Sequence, residues 1–374
     1  MTLVRSGGGE KNGTFGRSAR RNPAGCSIGE GHGEQGAYMT AGLTGAQLTR
    51  VLEAGCRAPS LHNSQPWAFV TGEDRIEVHI DRQRLLPAAD PDLRETRIGC
   101  GAVVLDLRLA LMRYGVHAAV TILPDGETGP LATLRLTPGA VHSAEFAQVV
   151  ALEQAISDRR TNRRPFLSVD VPPGHQHQLC QAADTEHAVL HLLTDPATVA
   201  EVRRLSVVAH RTQRQNPAWQ AEWDAWTRRV GTADGVPLDA AGPSPAPQDP
   251  WTLRDFGAAD RPERLAGRDF EDQPLIAVLA TAEDLPRSHI NAGQALQRVL
   301  LTGTSLGLSA SFVSQLIEVP SARRSLRALT DGRNHPQAVL RIGFGEPTSP
   351  TPRRDVADCL IQPFHPSGGL RVTP

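Results

Sequence analysis

A chain of 374 residues, 40% of them hydrophobic, is long enough to bury a full core and to hold one to three domains. Its formal net charge of −1 leaves no electrostatic footprint for nucleic acid or an anionic membrane, and no apolar run approaches the roughly 20 residues of a membrane span. The five cysteines are scattered without a C-x-x-C pair, which speaks against a disulfide framework and fits a reduced, cytoplasmic protein.

In chain order, residues 1–42 read as a disordered N-terminal extension. Its first 38 residues are rich in Gly, Ser and Arg and lack the apolar stretch of a signal peptide, and Met39 offers a second start codon beside Met1. Thr44 opens a helix on which Leu48, Val51 and Leu52 recur at helical spacing. Pro59 ends it, because a proline ring disfavours the helical region for the residue before it. A polar loop follows, in which Ser60, Asn63, Ser64 and Gln65 offer donors and acceptors suited to the edge of a planar heterocycle. Trp67, Phe69 and the residues up to Thr71 then form a strand, Ile76 to Ile80 a second, and Arg84 to Arg97 a polar connection. Ile98 to Tyr114, apolar on most faces and stopped by Gly115, is a buried central helix, followed by strands over Val116–Leu123 and Leu131–Thr137.

The far end of the chain repeats this plan. Ile290 to Leu306 is a second long helix stopped by Gly307, and without gaps Ile98, Gly101, Leu109 and Gly115 meet Ile290, Gly293, Leu301 and Gly307. Pro130 to Arg135 stands against Pro336 to Arg341, Gly139 against Gly345, and the strand from Leu275 to Ala280 against the one at Ile76. The chain reads as two copies of one unit. The first spans residues 43–145 and the second 146–374, with an insertion near 206–257 in the second.

The stretch Ala58-Pro59-Ser60-Leu61-His62-Asn63-Ser64-Gln65-Pro66-Trp67 resembles the A-P-S-x-x-N-x-Q-P-W loop of the nitroreductase superfamily, whose members hold FMN. The alternative is that Pro66 and Trp67 merely start a strand and fill a core. Arg159-Arg160-Thr161-Asn162-Arg163-Arg164-Pro165-Phe166 resembles the R-R-S-x-R-x-F motif of the same family, with Thr in place of Ser. Arg-Arg doublets occur seven times in the chain, so this one gains its weight from the loop and the duplication.

The resemblance implies an α+β, nitroreductase-like fold of two tandem copies, central sheets flanked by helices, forming within one polypeptide the dimer that the family usually builds from two. The Acg-like group has this arrangement. By the resemblance Arg159 and Thr161 would bind the FMN phosphate and Arg163 would reach the pyrimidine edge. Pro59, Ser60, Leu61, Asn63 and Gln65 would meet the heterocycle, and Phe312, Val313 and Ser314 would lie in the loop near flavin N5. Arg353, with Arg354 as alternative, would be the second phosphate arginine. Guanidinium forks suit a dianionic phosphate. The first copy lacks the arginine motif and the second has Asp184-Thr185-Glu186-His187-Ala188 in place of the loop, so the two half-sites make one whole site and one FMN per chain.

Two functions are compatible with these residues. One is an FMN-dependent oxidoreductase that passes hydride from NAD(P)H to nitro, quinone or similar small-molecule acceptors, with the flavin rather than a side chain carrying the chemistry. The other is a protein that sequesters FMN beneath a lid with little turnover. The intrachain arrangement implies a functional monomer without nucleic-acid or membrane partners. In the insertion, Trp219, Trp223 and Trp226 fall on one helix face and suggest a lid, or ordinary helix packing. His175, His177 and Cys180 lack the spacing of a zinc site, so no metal is expected. Gly99-Cys100-Gly101 lies inside a helical pattern, where packing explains it better than a dinucleotide motif.

Overall fold

The computed structural model describes residues 41–139, 143–228, 232–237, 240–243, 251 and 274–361. The N-terminal extension lies outside them except for residues 41 and 42, as does most of the Gly, Pro and Ala tract of the insertion.

Helix α1 (Gly45–Cys56) begins at a capping box in which the Thr44 hydroxyl accepts from the Gln47 amide and the Gln47 side chain accepts from the Thr44 amide. After the loop come β1 (Trp67–Thr71), β2 (Arg75–Ile80), α2 (Arg94–Arg113), β3 (Val116–Ile122) and β4 (Ala132–Pro138). Next are α3 (Ser143–Asp158), α4 (Pro173–Thr185), β5 (Val189–Leu193), α5 (Pro196–Arg214), α6 (Pro217–Trp226) and the short strands β6 (Thr227–Arg228) and β7 (Val236–Pro237). The chain then runs through β8 (Leu275–Thr281), α7 (Pro286–Ser305), β9 (Ser309–Phe312), α8 (Gln315–Glu318), α9 (Pro320–Leu329) and β10 (His335–Gly343).

The duplication is explicit in the strand order. One antiparallel sheet runs β1-β2-β4-β3 and the other β5-β8-β10-β9, which is the same order when each copy's strands are counted from its own start. Register agrees as well: Ile76 faces Leu134 in the first sheet, and Ala277 faces Leu340 at the matching place in the second. Each copy also threads its long helix between its second and third strands. The fold is α+β with two tandem copies of one unit.

Helices α2 and α7 pack on each other at the centre of the molecule. They touch where both carry glycine. A Cβ on Gly101 would overlap the Ile290 carbonyl oxygen and stand 2.9 Å from its carbon, and one on Gly293 would overlap the Ile98 oxygen and stand 2.8 Å from the Gly101 Cα. This reciprocity puts Ile290 into the core of the first copy and Ile98 into that of the second. Gly101 is therefore a helix-packing glycine. Leu105, Leu109 and Leu301 of the same two helices bury the apolar face of α3 through Val149, Leu152, Ala155 and Ile156.

The polar stretch before Ile98 does not remain a connection. Helix α2 starts four residues earlier, at Arg94, because both Asp90 carboxylate oxygens accept from the Glu95 and Thr96 amides and so cap the first turn. Arg94 is buried, its charge met by Asp284 at 2.6 Å from Nη1 and 2.7 Å from Nη2, while Nη1 also donates to Gln337, both partners from the second copy. Desolvation opposes ionisation of the Asp284 carboxyl, but hydrogen bonds from His289, Arg94 and Gln337 and the Arg94 charge together hold it well below the usual range.

Where the first copy has the polar loop, α4 passes to β5 through Glu186 and His187. Glu186 is buried and accepts from Arg108 of α2 and Arg298 of α7. The position opposite the loop is thus filled by the chain's own carboxylate.

Candidate functional site

An open cavity lies between the two copies, with about 920 Å³ of empty space when its open mouth is counted. Its walls come from seven places. The loop after α1 gives Pro59, Ser60, Leu61, His62 and Asn63, and the first turns of α2 give Glu95, Ile98 and Gly99. The segment after α3 gives Arg159, Thr161 and Arg163, and α7 gives Leu296. The end of β9 and the turn after it give Ser311, Phe312 and Ser314, and the C-terminal strap gives Thr351 and Arg353. Val236 closes one side from the insertion.

The loop holds its shape by left-handed backbone at His62, Asn63 and Gln65, with φ of 54°, 54° and 52°. That costs strain, which hydrogen bonds offset. The Ser60 hydroxyl accepts from the Gln65 amide at 2.9 Å, and the Asn63 side chain donates to the Gly235 and Pro352 carbonyls at 2.9 and 3.1 Å. The arginine segment is held as an extra edge on the second sheet: Thr161 bridges Ala310, and the Asn162 amide donates to the Ala310 carbonyl at 2.9 Å.

Two arginines converge at one end. Arg159 is 5% exposed, and the one hydrogen bond of its side chain among the described residues is a long 3.4 Å donation to the Arg57 carbonyl. Its Nε and Nη1 are buried with no acceptor. Arg353 donates to Asn63 Oδ1 at 2.9 Å, to the Thr351 hydroxyl at 2.6 Å and to the Arg57 carbonyl at 3.1 Å, while its Nε has no acceptor. Among the described residues neither forms a carboxylate ion pair. Burial pushes the Arg159 guanidinium down to about 10, with Asp106 opposing and Arg160 reinforcing, and burial together with Arg159, Arg57 and Arg160 pushes Arg353 down to about 9. Below them Asp106 of α2 accepts two bonds from Gln297, and its own burial raises its carboxyl well above the usual range. The result is a buried cationic end that lacks an anion of its own, which is the electrostatic requirement of a phosphate seat.

Ten of the thirteen candidate residues border this cavity and three do not. Gln65 is fully buried behind the loop, donating to the Ala233 carbonyl at 2.8 Å and accepting from the Arg354 amide at 2.9 Å. Arg354 turns away to Asp81 at 3.2 Å and to the Gln65 carbonyl. Val313 points into the core of the second sheet beside Val278 and Val339, since strand alternation aims it opposite to Phe312. Conversely, His62, Glu95, Ile98, Gly99, Val236, Leu296, Ser311 and Thr351 were not among the candidates. Ile98 and Leu296 carry no sequence signal beyond an apolar helix face.

The insertion also differs from expectation. Helix α5 continues unbroken through Ser206 and buries Val202, Leu205 and Ala209 with residues of α8, α9 and the second sheet. Trp219 and Trp223 stack on each other at 5.1 Å and bury against Leu86, Ala89 and Val236, with the Trp223 ring meeting the edge of His62 at 4.9 Å. They brace the site loop from behind rather than line the cavity. Glu222 fixes the contact by accepting from the Ala88 and Ala89 amides.

No family model matches the chain. An uncharacterized protein of Mycobacterium tuberculosis is 33% identical over 324 residues, covering 84% of this chain and 92% of that protein. Two further proteins of that organism have NAD(P)H nitroreductase in their names, one of them Acg; they are 30% identical over 339 and 319 residues, covering 88% and 83% of this chain and 96% and 93% of their own lengths. The chain belongs to the nitroreductase superfamily, in its Acg-like group. A nitroreductase with bound FMN from Bacteroides fragilis is similar at 11% identity and a TM-score of 0.33, over 60% of this chain and 98% of that one; the assignment rests on the sequence relatives. Among the described residues no helix is long and apolar enough to cross a membrane.

Proposed function

We propose that this protein is an FMN-dependent NAD(P)H oxidoreductase of nitroreductase type, reducing nitro, quinone or similar small-molecule acceptors from a single site formed by both copies of one chain in a reducing cytoplasm. The observation that carries this reading is the pair of buried guanidiniums, Arg159 and Arg353, whose Nε atoms have no acceptor at one end of a cavity walled by the family's loop. FMN fits the donor set: Arg159, Thr161 and Arg353 would hold its phosphate, Arg163 its pyrimidine edge, and Pro59, Ser60 and Leu61 one face of its ring system. When bound, it supplies hydride acceptance and donation. The protein's part is to fix its position, exclude water and set its potential. On this reading the chain works as a monomer, a view supported by Glu186, which in the second copy stands between α4 and β5 where the first copy has its loop and is paired with Arg108 and Arg298.

A second reading, sequestration of FMN with little turnover, draws support from the insertion, whose Gly235 and Ala233 carbonyls occupy the Asn63 and Gln65 amides and whose Val236 walls the cavity. Anaerobic addition of NADPH or NADH to the FMN-loaded protein separates the two. The oxidoreductase bleaches its flavin absorbance and recovers it when a quinone is added. A flavin that stays oxidised in the intact protein, and is reduced only after residues 217–257 are replaced by a Gly-Ser linker, points to storage beneath a lid.

A further inference from the structure

The four described cysteines are free thiols, and in only one place among them do two sulfurs meet. Cys56 Sγ donates to Cys359 Sγ at 3.9 Å, although the residues are 303 positions apart and both are buried. Cys100 and Cys180 instead donate to backbone carbonyls of Pro66 and Leu190.

The pair stands at a joint of the proposed site. Cys56 is the last residue of α1, and the carbonyl of the next residue, Arg57, accepts from both Arg159 and Arg353. Cys359 ends a short turn, Val356–Cys359, on the C-terminal strap that carries Arg353. That strap leaves the second copy and lies on the first, held by the Arg354 amide on Gln65 and by the Ile361 amide on the Phe69 carbonyl. All the ties that hold the strap on the first copy, the sulfur contact included, are non-covalent. The S–H donated by Cys56, with the charges of Arg354 and Arg84, holds the Cys359 thiol below the ordinary value against burial and Asp358. Burial and the same hydrogen bond push the Cys56 thiol up.

We infer that Cys56 and Cys359 are a redox modification site, forming a reversible disulfide that locks the Arg353 strap over the phosphate end and slows release of FMN. This rests on the FMN reading given above. With hydrogen peroxide as oxidant, the Cys359 thiolate attacks one peroxide oxygen; the O–O bond breaks, the leaving hydroxide takes the thiol proton as water, and Cys359 becomes a sulfenic acid. Cys56 sulfur then attacks Cys359 sulfur, the S–O bond breaks, and the Cys56 proton leaves with the hydroxyl as a second water. The two sulfurs lose two electrons and the peroxide gains them. A small thiol reverses the step by exchange.

The test treats the purified full-length, FMN-loaded protein with stoichiometric hydrogen peroxide. A non-reducing digest identifies any linked peptides by mass, and the rate of FMN release into excess apoflavodoxin-type scavenger is followed before and after treatment. The expected result is a link between the Cys56 and Cys359 peptides, reversed by dithiothreitol, with release several-fold slower in the oxidised protein. Cys359→Ser should abolish both changes and Cys100→Ser neither. Free thiols at both positions, a link to Cys26, Cys100 or Cys180 instead, or a Cys56–Cys359 link that leaves release unchanged would each overturn the inference. The link is mapped by mass without flavin, so a protein that takes up no FMN counts against the cofactor reading, while the map still decides whether the pair oxidises.

Discussion

Arg159→Ala is expected to weaken FMN binding by about 2–5 kcal/mol, roughly 30-fold to several thousand-fold, because a phosphate oxygen then loses its charge-assisted partner in a buried place. The same substitution should leave the flavin-free protein as stable or more stable. Arg159 is a buried cation with one long hydrogen bond and two unsatisfied nitrogens, and burial already pushes its guanidinium down to about 10. An uncompensated buried charge costs stability that a neutral residue does not. Ligand-site and structural roles therefore differ in sign. FMN titration and thermal melting of the apoprotein read both. A variant that retains full flavin, or one whose apoprotein melts well below the parent, would count against the phosphate assignment.

Gly293→Val is expected to destabilise the whole molecule by more than about 3 kcal/mol and to abolish flavin binding with it. In an ordinary helix interior, replacing glycine by a residue with a side chain gains helix propensity. Here the new Cβ would overlap the Ile98 carbonyl oxygen and stand 2.8 Å from the Gly101 Cα, and backbone on the facing helix has no rotamer with which to yield. Separating α2 from α7 would also pull apart the two halves of the cavity wall, Ile98 and Gly99 on one side and Leu296 on the other. Gly303→Ala serves as the control in the same helix. Its Cβ would meet Leu179 and Leu308 at 3.6 and 3.8 Å, ordinary contact distances, so the change should be neutral or slightly stabilising in denaturant melts.

The repeat was legible because α2 and α7 carry the same glycine spacing and the last strands the same residues, and each copy needs those residues for the same contact. The loop and the arginine motif stood out because they gather more hydrogen-bonding and charged groups than a packed turn requires, and both border the same cavity. What escaped depends on partners distant in sequence. Arg94 reads as part of a polar connection until Asp284 is seen to neutralise it. Gln65 and Arg354 have the chemistry of ligand contacts, but here the backbone of the insertion and of the strap takes that chemistry up. Val313 fails through strand alternation alone, and Glu95 lines the cavity only because Asp90 extends α2 by a turn. Trp219 and Trp223 share a helix face, as their spacing predicts. Which apolar surface that face buries against, Leu86 and Ala89 rather than the cavity, was not in their spacing.

On the proposed reading, two unlike half-sites in one chain make a single flavin site. The most direct measurement is the flavin released by denaturing a saturated, desalted sample of known chain concentration, with the released compound identified as FMN. The account predicts close to one equivalent per chain, from a protein that runs as a monomer in light scattering. A value near two would contradict it, because a second FMN would have to sit where Glu186 already occupies Arg108 and Arg298.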